Sequence, residues 1–210
     1  MKEFDVLIIG SGPAGHTAAL CAAKAGLKTA LIEKNKEKPG GVCLNEGCIP
    51  LKGMLYHTHY EKNYSVALNN VMQKVEQLKK GLLFSLESAG VELIFEKAEF
   101  ISEKQVKAGA EIIQAKNIII CTGSSPKKLF KQEEVYTSEK AFELTKNPDT
   151  VLIVGGGVIG CEYASLFKAV GAQVTIAELA GTLLPGMDPE ICRAIAVSYT
   201  HLTLPTKRIV

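Results

Sequence analysis

Cys43 and Cys48 enclose Leu44-Asn45-Glu46-Gly47, preceded by Gly40-Gly41-Val42 and followed by Ile49-Pro50-Leu51-Lys52. Two thiols at that spacing can close into a small disulfide ring, and a dithiol–disulfide couple stores two electrons. For the bare pair, two other readings stay open. Cysteines also pack in cores as small hydrophobes. Zinc enters because His57 and His59 follow. Zinc sites usually space histidines about three to five apart, which His57-x-His59 fits poorly, so we expect no metal site.

The 210 residues suffice for one large or two small domains, and 47% hydrophobic content supports a core. A net charge of +2 gives no electrostatic reason to expect nucleic acid or an acidic membrane surface. Apolar runs such as Val6–Ile9 and Val151–Val154 are too short to span a bilayer. The start Met1-Lys2-Glu3-Phe4-Asp5 lacks the pattern of a signal peptide. Six cysteines without an export signal point to a reducing, cytoplasmic setting, where a disulfide is more often catalytic than structural.

Phe4–Ile9 reads as a buried strand running into Gly10-Ser11-Gly12-Pro13-Ala14-Gly15. A helix is expected from Pro13 to Ala25, stopped by Gly26, then a strand over Lys28–Ile32 ending at Glu33 and Lys34. A lone G-x-G-x-x-G is weak. Between a strand and a helix, with an acid about 20 residues on, it marks a dinucleotide site. Gly10 would make the turn, Gly12 would admit a pyrophosphate, Gly15 would let helix and strand pack, and Glu33 would accept from a ribose hydroxyl.

The whole unit recurs. Gly155, Gly157, Gly160, Gly171 and Glu178 each stand 145 positions after Gly10, Gly12, Gly15, Gly26 and Glu33. Two dinucleotide sites are therefore expected, with Val158 opening the second helix. Glu178 favours a free ribose 2′-hydroxyl, hence NAD over NADP.

Between the repeats we expect a helix from near Pro50 carrying Lys52. A longer one follows over Asn69–Ala89, with Val71, Val75, Leu78, Leu82 and Leu86 on one face. Short strands follow at Val91–Phe95, Ala98–Ile101, Gln105–Val106 and Glu111–Ile113, then a buried strand at Lys116–Ile120. Lys127–Asp149 reads as a linker with a short helix at Ser138–Leu144.

The string from Gly40 to Lys52 closely resembles the redox-active disulfide segment of the flavin-linked pyridine nucleotide–disulfide oxidoreductases. Cys121-Thr122-Gly123-Ser124-Ser125-Pro126 resembles that family's A-T-G-S-x-P turn. The resemblance implies an α/β fold. A Rossmann-like FAD domain with a parallel sheet and β-meander would occupy 1–145, and the start of a second, NAD-binding one 146–196. It implies FAD at Gly10, Gly12, Ala14, Gly15, Glu33, Lys34, Gly41, Val42, Lys52, Ala98, Thr122, Gly123 and Ser124. NAD would lie at Gly155, Gly157, Val158, Gly160 and Glu178. Cys43 would be the interchange thiol and Cys48 the thiol against the flavin. Lys52 would lie near the flavin, paired with Glu162.

The wording Cys-Leu-Asn-Glu-Gly-Cys-Ile-Pro and the acid at 178 resemble the dihydrolipoyl dehydrogenase branch more than the glutathione, mercuric or quinone reductases. A non-catalytic nucleotide-binding fragment is the alternative of a different class. That branch implies a homodimer and a lipoamide-bearing partner from a 2-oxo acid dehydrogenase or glycine cleavage complex.

The sequence departs from the family at Val42 and Leu51, where hydroxyl residues are usual, and it is shorter between Tyr56 and Asn70. Residues 197–210 have no counterpart and resemble translated sequencing-adapter DNA, so they are expected to be a non-native tail on a truncated and inactive chain.

Overall fold

A computed structural model describes residues 2–126 and 135–199. The chain divides into two compact units. One comprises Met1–Pro50 with Met72–Glu139; the other comprises Leu51–Val71 with the chain from Lys140 onward. The linear division at 145/146 expected from sequence does not separate out residues 51–71, because the contacts that claim them come from distant positions.

In the first unit, β1 (Lys2–Ile9) leads to α1 (Pro13–Lys24) and β2 (Thr29–Ile32). Pro13 sits in the first turn of α1, where its missing N–H costs nothing. Gly26 takes the left-handed conformation, φ +78°, just past the helix end. α2 (Gly41–Glu46) follows, then α3 (Cys48–His57) runs from this unit into the second and α4 (Tyr64–Ser88) from the second back into the first. The expected helix start near Pro50 is corrected: α3 begins at Cys48, and a separate short helix carries Cys43. Pro50 is tolerated because it lies in the first turn of α3. α4 starts five residues before the expected Asn69, because the Asn63 side chain accepts from the Val66 amide at 3.2 Å and caps it.

Strands β3 (Glu92–Ile94), β4 (Ala98–Ser102), β5 (Gln105–Ala108) and β6 (Glu111–Ile120) complete a sheet of order β3-β2-β1-β6-β5-β4. The four strands β3, β2, β1 and β6 run parallel, and β5 and β4 add an antiparallel meander. Two strands expected at Glu111–Ile113 and Lys116–Ile120 are one. Its first half pairs with β5 while β1 holds it through to Ile120. Beyond Gln114 only β1 flanks it, so Ile120 is 64% exposed rather than buried. Leu78 is likewise exposed, against the expected apolar face of α4.

Alternation along β1 sends residues to opposite faces. Leu7 and Ile9 join Ile32, Val106 and Ile113, while Val6 and Ile8 join Leu31, Ala19, Ala22 and Leu86; Phe4 joins the first group out of that alternation. Each fully buried leucine or isoleucine contributes about 1.5–3 kcal/mol relative to exposure.

In the second unit, β7 (Thr150–Val154), α5 (Val158–Ala169) and β8 (Gln173–Ala177) form a parallel βαβ unit, followed by α6 (Pro189–Ser198). The helix expected over Ser138–Leu144 is a short 3-10 turn, Lys140–Glu143. Tyr64 stacks on Phe167, centroids 6.1 Å apart, and its hydroxyl donates to the Ala141 carbonyl at 2.8 Å. Asn147 donates to the carbonyls of Lys62 and Val170 and accepts from the Tyr64 amide. These bonds attach 51–71 to this unit. α6 passes the expected Ala196, and the Tyr199 hydroxyl donates to the Cys161 carbonyl at 2.8 Å. Residues 200–210, most of the expected tail, lie outside the described residues.

Candidate active site

In the first glycine loop the three glycines are not equivalent. Gly10 has φ +101°, and a Cβ there would stand 2.4 Å from the Cys121 carbonyl oxygen. A Cβ on Gly15 would stand 1.8 Å from the Gly10 carbonyl oxygen. The fold itself demands glycine at both. Gly12, at φ −59° and ψ 179°, has a conformation open to any residue, and a Cβ there would meet nothing within 4 Å. Its bareness has no packing reason. It leaves the N-terminus of α1, which has no acid in its first turn, open to an anion from outside the chain. A pyrophosphate fits that description.

Glu33 is buried at the end of β2. Its Oε2 accepts from the Ser11 amide at 3.0 Å and the Ser11 hydroxyl at 2.6 Å, and Oε1 accepts from the Asn35 amide. The repeat reproduces this geometry. A Cβ on Gly160 would stand 2.0 Å from the Gly155 carbonyl oxygen, while one on Gly157 would meet nothing within 4 Å. Glu178 accepts from the Gly156 amide at 2.5 Å and the Ala180 amide at 2.7 Å. The Ala180 amide, then that of Gly156, holds the Glu178 carboxyl below the usual range.

The dithiol segment lies against the first loop. Gly40 donates its amide to the Ser11 Oγ at 3.0 Å. A Cβ on Gly41, at φ +66°, would stand 2.9 Å from the Gly12 Cα, so only glycine permits this approach. Asn45, 5% exposed, donates to the carbonyls of Pro39 and Gly41, tying α2 to the chain that enters it. Cys43 and Cys48 are free thiols. Cys48 opens α3. The Cys43 thiol is pushed above its ordinary value first by its hydrogen bond to the Cys48 thiol, then by burial. The amides of Cys48 and Ile49 also address the Cys43 sulfur and pull the other way. Cys48 is the more exposed of the two.

Cys121 donates its amide to Ile9, which sets Thr122 beside Gly10; Thr122, Gly123 and Ser124 are exposed there. Ala14, Lys34 and Val42 are exposed, whereas Leu51 is buried in the second unit. Ala98 opens β4 opposite Ala108 and packs on the core. Within the second unit, Lys52 pairs with Glu162 through Nζ and Oε1, with side chains 61% and 23% exposed. Val158 is exposed at the start of α5. Ser11 and Asn45 went unread as site residues. One is a filler position of G-x-G and the other lies inside the thiol ring, and neither pattern names its bonding partner.

Two shallow depressions, about 410 and 590 Å3, lie by Lys2, Glu92 and Glu111 and by Asp5, Lys28 and Lys116. Neither includes a glycine loop or a site cysteine. Among the described residues no group of three His, Cys, Asp or Glu side chains could hold a metal ion, and no helix is long and apolar enough to cross a membrane.

Two glycine loops that share their glycine spacing and an acid gripping the loop amide, with a thiol pair seated on the first, define an α/β redox protein of the dinucleotide-binding, Rossmann-like class. The chain belongs to the pyridine nucleotide–disulphide oxidoreductase family, which it matches over residues 4–202. It is 37% identical over 213 residues to a dihydrolipoyl dehydrogenase of Bacillus subtilis, covering 89% of this chain and 46% of that protein. A dihydrolipoyl dehydrogenase of Acholeplasma laidlawii is 35% identical over 221 residues, covering 93% of this chain and 65% of that protein. The structure of the HOCl-induced flavoprotein disulfide reductase RclA from Escherichia coli superposes with a TM-score of 0.90 at 31% identity, covering 98% of this chain and 49% of that one. The chain thus spans about half to two thirds of the length of these relatives.

Proposed function

We propose that this chain is the dithiol-bearing part of an NAD-linked, FAD-dependent dihydrolipoyl dehydrogenase. The observation that carries the reading is the segment bearing Cys43 and Cys48 seated against the first glycine loop, with the Gly40 amide bonded to Ser11 and Gly41 close against Gly12. FAD fits that loop: Gly12 leaves the helix N-terminus open, and Glu33 offers a buried acceptor beside it. Gly157 leaves the N-terminus of α5 open in the same way and Glu178 offers a partly buried acceptor for NAD, and the ionised Glu178 disfavours a 2′-phosphate.

In the reaction, a thiolate of dihydrolipoamide attacks the Cys43 sulfur of the Cys43–Cys48 disulfide. A mixed disulfide forms on Cys43 and Cys48 leaves as thiolate. The second substrate thiol then displaces Cys43, which releases lipoamide and leaves both cysteines reduced. Bound FAD supplies the acceptor for that electron pair, with NAD+ beyond it. Cys48, exposed in the chain alone, is the sulfur open to a cofactor on the first loop. Lys52 lies four residues after Cys48 along α3 and pairs with Glu162. The lipoamide would be carried by a 2-oxo acid dehydrogenase or glycine cleavage complex in the cytoplasm, and two copies would form the working dimer.

The test follows the exchange step without a flavin. Protein carrying the Cys43–Cys48 disulfide is mixed with dihydrolipoamide or, separately, with dithiothreitol at equal concentration, then quenched by alkylation. Peptide mass spectrometry should find both cysteines reduced faster by dihydrolipoamide than by dithiothreitol. A rate with dihydrolipoamide no higher than with dithiothreitol would overturn the substrate.

A further inference from the structure

The two glycine loops share the spacing of their glycines and the way their acids grip the loop amide, yet they differ at the residue between the first two glycines. Ser11 carries a hydroxyl where the second loop has Gly156, and a Cβ on Gly156 would stand 2.6 Å from the Leu183 Cδ2. The Ser11 amide already donates to Glu33, as the Gly156 amide does to Glu178. Holding the acid therefore does not require the hydroxyl.

What the hydroxyl adds is a second direction. Its proton goes to Glu33 Oε2 at 2.6 Å, and its lone pair accepts from the Gly40 amide at 3.0 Å. Gly40 immediately precedes α2, whose third residue is Cys43. Ser11 is 1% exposed, so no solvent competes for these bonds.

We infer that Ser11 is a positioning residue that couples the Glu33 carboxylate to the helix carrying Cys43, so that the state of the first dinucleotide site sets the thiol–disulfide equilibrium. The inference rests on the proposed redox reading of Cys43 and Cys48. The Glu33 carboxylate takes the hydroxyl proton and so turns a lone pair toward Gly40. Removing the hydroxyl frees the Gly40 amide and with it the entry to α2, and removing the carboxylate releases the hydroxyl from the orientation that serves Gly40. No cysteine pair at that spacing follows the second loop, where α5 and α6 carry one cysteine each, Cys161 and Cys192, and that loop lacks the hydroxyl.

The experiment uses the full chain with Ser11→Ala, Ser11→Gly (the residue of the second loop), Ser11→Thr and Glu33→Gln. The dithiol–disulfide equilibrium is read against a dithiothreitol series by alkylation and mass spectrometry, and exchange of the Gly40 amide by hydrogen-exchange NMR. One lost hydrogen bond corresponds to about 2- to 10-fold. Ser11→Ala and Ser11→Gly should each speed Gly40 exchange by about that factor and shift the thiol equilibrium, while Ser11→Thr stays near the parent. Glu33→Gln combined with Ser11→Ala should shift the equilibrium no further than the larger single change, because both break one chain. Additive shifts, or a Gly40 exchange rate unmoved by removing the hydroxyl, would overturn the coupling. If the parent forms no Cys43–Cys48 disulfide, the redox reading fails on its own. The Gly40 exchange rate then still decides whether Ser11 holds the helix entry.

Discussion

Alanine at Gly12 and at Gly15 should separate binding from folding within one loop. The Gly15 Cβ would stand 1.8 Å from the Gly10 carbonyl oxygen, against the 3.0 Å that real Cβ contacts respect. Neither atom belongs to a flexible side chain, so α1 must move off β1 by more than an ångström. Overpacking of this kind costs about 1–3 kcal/mol, and here backbone meets backbone, so the upper end applies. Gly12 is different: φ is −59°, and nothing lies within 4 Å of its Cβ position. Alanine there narrows the unfolded ensemble and should stabilise by about 0.4–1 kcal/mol. The same methyl group occupies the approach to the loop amides. Losing one or two charge-assisted bonds to a pyrophosphate, each worth about 1.5–3 kcal/mol, lowers affinity by at least about 10-fold. Thermal melts and FAD titration by flavin fluorescence measure the two axes. Gly12→Ala should melt at or above the parent and bind FAD at least 10-fold more weakly; Gly15→Ala should melt lower. A Gly12→Ala protein that binds FAD like the parent would refute the pyrophosphate at this loop.

Cys48→Ala removes the main cause of the raised Cys43 pKa and leaves the amides of Cys48 and Ile49, which favour the thiolate. Cys43 should then alkylate faster at pH 7 than in the parent, and an unchanged or slower rate contradicts the thiol hydrogen bond. Because the folded Cys43 pKa is raised, its contribution to stability is full below the unfolded thiol value and is lost as pH climbs through the folded one. Denaturant midpoints of the reduced parent should therefore fall above about pH 9, and less so in Cys48→Ala. FAD should protect exposed Cys48 from alkylation more than Cys43, as measured by peptide mapping. Glu178→Gln should narrow the preference for NADH over NADPH in binding titrations, since the ionised carboxylate no longer opposes a 2′-phosphate. Tyr64→Phe deletes the bond to the Ala141 carbonyl and should cost about 0.5–1.5 kcal/mol in chemical denaturation, with FAD affinity unchanged.

Local physics wrote much of this protein legibly. A branched apolar run, a glycine triplet, a helix stopped by glycine and an acid at the next strand end are neighbours in sequence. Each βαβ unit could therefore be read from its own stretch, and the 145-residue repeat showed that the reading was not chance. The thiol pair was visible for the same reason. The start of α3 was misread because Pro50 looks like a first residue, when the helix accommodates it as its third. The Ile119-Ile120 end of β6 was taken as buried because composition reports apolarity and says nothing about which neighbours cover it.

Other features required the assembled chain. Ser11, Glu33 and Gly40 stand on three separate segments, and the parallel pairing of β1 with β2 brings the acid to the loop, where Ser11 also meets the Gly40 amide at the entry to α2. Lys52 and Glu162 are 110 positions apart, and their pairing depends on residues 51–71 joining the second unit through Tyr64 and Asn147. Whether a glycine serves the backbone or a ligand was likewise undecided by the motif, since Gly12 and Gly15 are the same letter. Sequence determined the residue types and their local conformations, because those follow from near-neighbour sterics and periodicity. The tertiary structure decided which glycine is crowded, which carboxylate is gripped and which thiol meets the helix amides, because those are matters of distance between segments that the sequence does not place side by side.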